Sequence, residues 1–303
     1  MSRPAYSYAG FRRRLQISRA RLHVMFEGRA HDPYFYGGIL EASTTLRSDE
    51  VQLIPIEVVS GTGGKAALLS LFDWSRKKGV LRTQKRSGES VLVFMLDRDS
   101  DFMTGGTRRS PHVVYTKRYD VEAEIFANAD AEKALGSHLS LTPQEANALV
   151  THLGDWRGDL ANLWRTWILL CCIARVTRAQ CDVTFARASA VNDPRYSPED
   201  AHLVRAKESS LRRVTGLKHV DYADLRSRMD RRLTRLYERG EADQVLKGKW
   251  LPGYLDEAVK GGLPGRHVKN KGKLGSSITE SFAAALSFNG AWVRHYLDPL
   301  EAL

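Results

Sequence analysis

The sequence predicts an α/β fold, a parallel sheet flanked by helices and followed by a mainly helical C-terminal lobe, on three observations. Between residues 21 and 122, short apolar runs rich in β-branched residues alternate with helical patterns, the rhythm of strand and helix in turn. Runs such as "VLVFML" at 91–96 are apolar at every position rather than every second one, so both faces of the strand are covered, as in parallel sheets. From about residue 130 strand signals vanish and helix-start signals take over.

The elements follow in order. Residues 1–20, beginning "MSRPAYSYAGFRRRLQ", read as a basic N-terminal arm with no apolar core of a secretory signal. "RLHVMFEG" is the first strand, ending at Glu27. After a loop carrying His31, Asp32 and Pro33, "YFYGGILEASTTL" is a short helix and "VQLIPIEVVSG" a second strand. The glycines of "SGTGGK" turn the chain into the helix "AALLSLFDWSRKKG", closed by Arg76, Lys77, Lys78 and Gly79 as cationic helix ends are. "SVLVFMLDRD" is the third strand and "HVVYTKRYDVE" the fourth. A flavodoxin-like order 2-1-3-4 makes the first and third strands neighbours at the switch point, where ligands bind beyond the strand carboxyl ends, and Glu27 and Asp97 stand there.

Residues 21–130 therefore form the sheet domain and 131–303 a helical domain with a basic surface. In the latter, "LTPQE" reads as a capping box with Thr142, Pro143 and Glu145, and "YSPED" repeats the device at Ser197, Pro198 and Asp200. "WRGDLANLWRTWILLCCIARV" is its central apolar helix.

Composition narrows the function classes. With 43% hydrophobic and 27% charged residues among 303, the chain has the make-up of a soluble globular protein. Its longest apolar stretch, "WILLCCIA" at 167–174, is too short to span a bilayer, so no membrane partner and a cytoplasmic location are expected. Cys171, Cys172 and Cys181 offer neither a disulfide pairing nor CxxC metal spacing, and read as reduced core residues. The excess of 46 Lys+Arg over 35 Asp+Glu, a formal charge of +11, creates a field that attracts polyanions such as nucleic acid.

Against that background the third strand ends in Asp97, Asp99 and Asp101. Carboxylates so close repel unless a cation joins them, and oxygen-only donors select Mg²⁺ or Mn²⁺. Strand periodicity, if the strand persists, puts Asp97 and Asp99 on one face with Arg98 on the other. The competing reading is a solvated turn; Glu27 at a neighbouring strand end favours the cation. The GTGGK turn fails the P-loop pattern, because Val59 stands where its first glycine belongs and Ala66 where its Ser/Thr belongs. Lys65 is then either a phosphate or transition-state contact or a surface lysine opening a helix. In "DLRSRMDRRLTRLYERG" the apolar Leu225, Met229, Leu233 and Leu236 recur at helical spacing beside a basic stripe of Arg228, Arg231 or Arg232, Arg235 and Arg239. Lys269, Lys271 and Lys273 between glycines read as a phosphate-tracking loop, and Lys247 and Lys249, with Trp250, as part of the same surface.

"MFEG" at the first strand end and "MLDRD" at the third resemble the Glu and DxD signature of the TOPRIM fold, a Rossmann-like sheet found in topoisomerases and primases, over roughly residues 20 to 128. "PIEVVSGTGGKAALLSL" and "YTKRYDVEAEIF" resemble an OLD-like branch of bacterial defence loci, and within it the TOPRIM nuclease component of the PARIS anti-phage system. The resemblance implies that Glu27, Asp97 and Asp99 are metal-binding or catalytic carboxylates and Asp101 an outer member of the cluster. Asp120 and Glu122 match the branch's acidic motif, as ligands or as helix-start charges. It further implies an ABC-type ATPase partner that restrains the nuclease until a phage trigger frees it, a homodimer when active, and a toxin that attacks RNA, tRNA in particular, in abortive infection. The branch usually carries a carboxylate where His31 stands, so either Asp32 takes that place or the ligand is missing. A DNA endonuclease of the OLD type and a non-catalytic TOPRIM module that binds nucleic acid or a partner are the alternatives. No zinc ribbon or convincing tyrosine nucleophile domain supports a topoisomerase or primase, and no ATP-hydrolysing motif is visible, so nucleotide dependence would come from the partner.

Overall fold

The computed structural model describes residues 7–28, 30–85, 88–262 and 277–303. In chain order these form α1 (Tyr8–Ile17), β1 (Leu22–Phe26), α2 (Asp32–Glu41), β2 (Val51–Pro55), α3 (Glu57–Ser60), α4 (Lys65–Lys77), β3 (Arg82–Lys85), β4 (Gly88–Leu96), α5 (Asp101–Thr104) and β5 (Val113–Tyr115). Then follow α6 (Val121–Asn128), α7 (Ala131–Leu139), α8 (Pro143–Leu153), α9 (Trp156–Leu163), α10 (Arg165–Thr177), α11 (Ala201–Thr215), α12 (His219–Glu238), α13 (Leu251–Gly262), α14 (Ser277–Ala284) and α15 (Arg294–Glu301).

The chain divides into two compact units that interleave in sequence. The first holds the described residues up to Asp97, with Arg108–Lys117 and Leu286–Leu303; the second holds Arg98–Thr107 and Arg118–Ala285. The C-terminal segment thus belongs to the sheet-bearing unit, not to the helical domain drawn as 131–303. Aromatic packing explains this: Trp292 stacks on Phe35 of α2 at 5.6 Å, and Tyr296 meets the same ring edge-on at 5.5 Å.

In the first unit β1 lies between β2 and β4, parallel to both, with Leu22 opposite Val51 and Val91. β5 adds in parallel beside the end of β4, Phe94 opposite Val113, while β3 pairs antiparallel with its start, Arg82 opposite Val91. The four expected strands therefore appear as β2, β1, β4 and β5 in the expected order, and the parallel sheet flanked by helices is as the sequence predicts. β3 is an addition: "RTQK" has no apolar residue to announce it, which suits a polar edge. Every residue of β1 and all but the first two of β4 are buried, the double coverage that their unbroken apolar runs require. Phe11, Leu15, Leu68, Leu71 and Phe72 from α1 and α4 pack with Met25, Phe94 and Leu96 into one core cluster. The arm at 1–20 is thus in part the amphipathic helix α1, its Phe11 and Leu15 inside and Arg12 and Arg13 exposed.

Two expected strands are shorter than their apolar runs. β2 stops at Pro55, which has no N–H for the ladder, and "EVVS" closes into a helical turn because Ile56 and Val59, three apart, both reach the core. β5 ends at Tyr115 and helix α6 begins after Asp120.

The second unit is helical in the main. α10 is buried from Trp167 to Ala174 and packs against α11 and α12. The long apolar helix of the sequence is two helices, α9 and α10, that meet at Trp164. The capping box at Thr142 and Glu145 is present. Its expected repeat is displaced: Asp200, not Ser197, caps α11 by accepting from the N–H groups of His202 and Leu203, while the Ser197 hydroxyl bonds back to the Pro194 carbonyl at 2.7 Å. Cys171 and Cys172 are buried, Cys181 is half-buried, and none is in a disulfide. Among the described residues no helix is long and apolar enough to cross a membrane.

Candidate functional site

Glu27 is the first residue beyond β1 and Asp97 the first beyond β4. Because these strands are adjacent, parallel and in register through Met25 and Phe94, both carboxylates leave the same edge of the sheet, where an α/β fold places its ligands. Glu27 Oε1 accepts the Asp97 N–H at 3.2 Å. Lys65 opens α4 and donates from Nζ to the Asp97 carbonyl at 2.5 Å, with its ammonium 5.6 Å above the Tyr115 ring. The glycine turn before it, with Gly64 at φ +91°, delivers the helix and its lysine to the strand end.

Asp32, the first residue of α2, turns its carboxylate back onto the Gly28 N–H at 2.8 Å. Gly28 lies so close that a Cβ there would stand 3.0 Å from Asp32 Oδ1, so a residue without a side chain suits the approach. His31 precedes the helix and makes no capping bond. Asp32, the residue put forward for the carboxylate absent at His31, therefore bonds at the β1 end. Beneath lies Tyr36, 2% exposed. Its hydroxyl is held well above the usual phenol range by burial, and further by Asp32, Asp97, Tyr296 and Glu27. Three carboxylates, Asp32, Asp97 and Glu27, acting on one buried phenol place a negative field here.

Oxygen donors alone suit a hard cation. Among the described residues no group of three or more His, Cys, Asp or Glu side chains could hold a metal ion. A Mg²⁺ ion held by one or two carboxylates completes its shell with waters and phosphate. Glu27 and Asp97 are the residues that would hold it.

The other acidic candidates lie in the second unit. Asp99 is not in a strand: its φ is +50° and its N–H bonds to the Tyr119 carbonyl at 2.7 Å, so strand periodicity no longer relates it to Asp97. Arg98 does point elsewhere, onto Gln244 at 2.7 Å and over the Phe102 ring. Asp101 is the buried first residue of α5 and pairs with Arg175 at 3.6 Å. Asp120 accepts from Ala123 N–H at 2.9 Å and from Gly248 N–H at 3.0 Å. The first of these bonds makes Asp120 the N-cap of α6. Glu122 sits half-buried in the first turn of that helix, where its charge favours the dipole.

The basic stripe is present as a face. On α12 the side chains of Tyr222, Leu225, Met229, Leu233 and Leu236 are buried, and Arg228, Arg231, Arg232, Arg235 and Arg239 are exposed. Arg232 also donates to the Met103 carbonyl and Arg239 pairs with Glu241 at 2.8 Å, so part of that charge is committed within the protein. Lys249 is exposed and Lys247 half-buried, whereas Trp250 leaves the expected surface: it is 5% exposed and stacks on Phe185 at 5.7 Å. Lys269, Lys271 and Lys273 lie outside the described residues.

Sequence reasoning missed three residues. Tyr36 and Tyr296 meet under the carboxylates at 6.4 Å between ring centroids, from opposite ends of the chain, and no local pattern links them. Arg118 binds Glu124 at 3.1 Å and Asp243 at 2.7 Å; the charged "KRYDVEAE" could have signalled a helix-start ion pair but names no partner at 243. No family model matches the chain, and comparison with curated proteins finds no relative.

Proposed function

We propose that the chain is a Mg²⁺- or Mn²⁺-dependent endonuclease of the TOPRIM type that cleaves RNA. The observation that carries the reading is the pair Glu27 and Asp97 on neighbouring parallel strand ends, joined by a hydrogen bond and backed by Lys65. When bound, the cation supplies a water-derived nucleophile and neutralises phosphate charge. The residues' own part is distinct. Glu27 and Asp97 hold the cation at the sheet edge, and Lys65 brings positive charge to a phosphate arriving there. The exposed arginines of α12 attract the polyanion.

The resemblance extends the proposal to tRNA as substrate, to release from an ABC-type ATPase partner during anti-phage defence, and to a homodimer as the active state. Purified protein incubated with total RNA or with plasmid, with and without Mg²⁺, tests it: RNA fragments should appear only with the metal, and Glu27→Ala should abolish them while leaving the unfolding transition in place. Metal-dependent cleavage that survives Glu27→Ala refutes the assignment. Cleavage of plasmid alone replaces it with a DNA endonuclease of the OLD type.

A second reading, a non-catalytic TOPRIM module, draws support from one observation, that no group of three such ligands is found among the described residues. Calorimetric titration with Mg²⁺ separates the two, since a scaffold takes up no heat-bearing ion that Asp97→Asn removes.

A further inference from the structure

We propose that a cleft of about 790 Å³ within the helical unit seats one ribonucleotide of the substrate strand. This rests on the ribonuclease reading for the identity of the strand, and on the cleft's own lining for the rest. Its size is that of a small-molecule site, of the order of 300–1,000 Å³. Tyr119 and Phe185 line it with their rings 5.2 Å apart, and Phe185 is backed by Trp250 in a near-parallel stack; only 5% and 7% exposed, Tyr119 and Phe185 give the cleft a packed apolar floor. Such a floor packs against the edge of a base by contact, with little regard to sequence.

The polar lining fits a ligand that both accepts and donates. Arg178 is exposed and in no ion pair among the described residues. Arg175 touches Asp101 only at 3.6 Å and keeps its side chain 57% exposed. These guanidinium groups donate to a phosphate. Asp99 and Asp101 line the same cleft, and their carboxylates can accept from a ribose hydroxyl or a base amino group. The Asp99 backbone is fixed by the bond from its N–H to the Tyr119 carbonyl, so the carboxylate is held beside the aromatic floor. A 2′-hydroxyl offered to Asp99 is also the group by which a protein tells RNA from DNA. Asp99 therefore acts here as a substrate contact two residues along the chain from Asp97.

Binding in EDTA tests the cleft without cleavage. Arg178 follows α10 at φ +55°, so Arg178→Gly removes the cation while giving that position the residue its backbone favours, and the fold should persist. Labelled single-stranded RNA should bind this variant about tenfold more weakly than wild type, with the slope of log K against log salt reduced by about 0.7. Wild type should prefer RNA to DNA of the same sequence, and Asp99→Asn should narrow that preference. Equal binding by Arg178→Gly overturns the proposal, as does displacement of RNA by inorganic phosphate as readily as by a 5′-mononucleotide. If wild type binds RNA through Arg178 but cleaves nothing with Mg²⁺, the nuclease reading fails and the cleft stands. If RNA is cleaved and Arg178→Gly binds unchanged, the cleft alone fails.

Discussion

Replacing Asp120 with Asn separates two roles that a carboxylate at the start of α6 can play. The side chain is 4% exposed and accepts from the Ala123 and Gly248 N–H groups. Burial, with Glu122 adding to it, pushes its pKa from 3.8 up to about 8, against the opposing pull of those N–H groups and Lys247. A carboxyl raised in this way is neutral when folded and ionised when unfolded, so folding takes up a proton between the unfolded and folded values. Stability is greatest below the unfolded pKa and falls as pH rises towards the folded one, by up to about 1.4 kcal/mol per pH unit. Asparagine presents the same carbonyl oxygen to both N–H groups and has no proton to take up. Urea unfolding followed by circular dichroism should show a flatter pH dependence for Asp120→Asn, and a variant at least as stable as wild type near the top of the window. Metal-dependent cleavage should be unchanged. An unaltered pH slope would mean that the N–H groups keep the carboxylate ionised; a folded variant that has lost cleavage would mean that Asp120 binds the metal after all.

Arg118→Met takes the cation from both Glu124, 1% exposed, and Asp243 and should cost about 3–5 kcal/mol by urea unfolding, most of it recovered when Glu124→Gln and Asp243→Asn are both added. His23, fully buried in β1, has its pKa lowered to about 4 by burial and by Lys85. The stability it contributes is present above the unfolded value of 6.5 and is lost as pH falls towards 4, about 3 kcal/mol in all, so His23→Leu should remove that acid-side loss in a pH series of unfolding curves. Gly248→Ala would put a Cβ 2.6 Å from the Ala123 nitrogen and 2.6 Å from Asp120 Oδ1, where backbone cannot give way, and should lower the urea midpoint by an amount equivalent to about 1–3 kcal/mol.

The parallel sheet was legible because double burial writes itself into every residue of a strand, as in "VLVFML". Glu27 and Asp97 were legible for the same reason, since the end of such a run is also the end of the strand. β3 was not, because a polar edge strand owes its existence to the neighbour it pairs with, here residues Gly88–Val91. Nor was the return of Leu286–Leu303 to the sheet-bearing unit, which depends on Phe35 and Tyr36 meeting Trp292 and Tyr296 across more than 250 residues of sequence. Asp200 displaced Ser197 as the cap because the serine hydroxyl found a nearer carbonyl at Pro194, a competition that spacing alone cannot decide.

The run Asp97, Asp99, Asp101 shows how far a two-residue period can be trusted. Such a period is a statement about direction only while the chain stays extended. Strand β4 ends at Leu96, so Asp97 inherits its direction from the strand, and its N–H still meets Glu27. Two residues later the backbone has turned to φ +50° and answers to Tyr119; two more, and Asp101 opens a helix with its charge set against Arg175. Equal spacing therefore yields different settings: Asp97 beside Glu27, and Asp99 and Asp101 on one cleft, the latter in an ion pair with Arg175. Electrostatics sorts them further. Asp97 stands beside the Glu27 carboxylate, whereas Asp101 already has the Arg175 countercharge. If the proposals hold, the substitutions must separate accordingly: Asp97→Asn should remove Mg²⁺ binding, Asp99→Asn should act on RNA affinity measured without metal, and Asp101→Asn should lower stability while leaving Mg²⁺ binding in place. A common loss of metal binding in all three would instead make the run a single cation site, and the turn at Asp99 would then have to be explained as serving it.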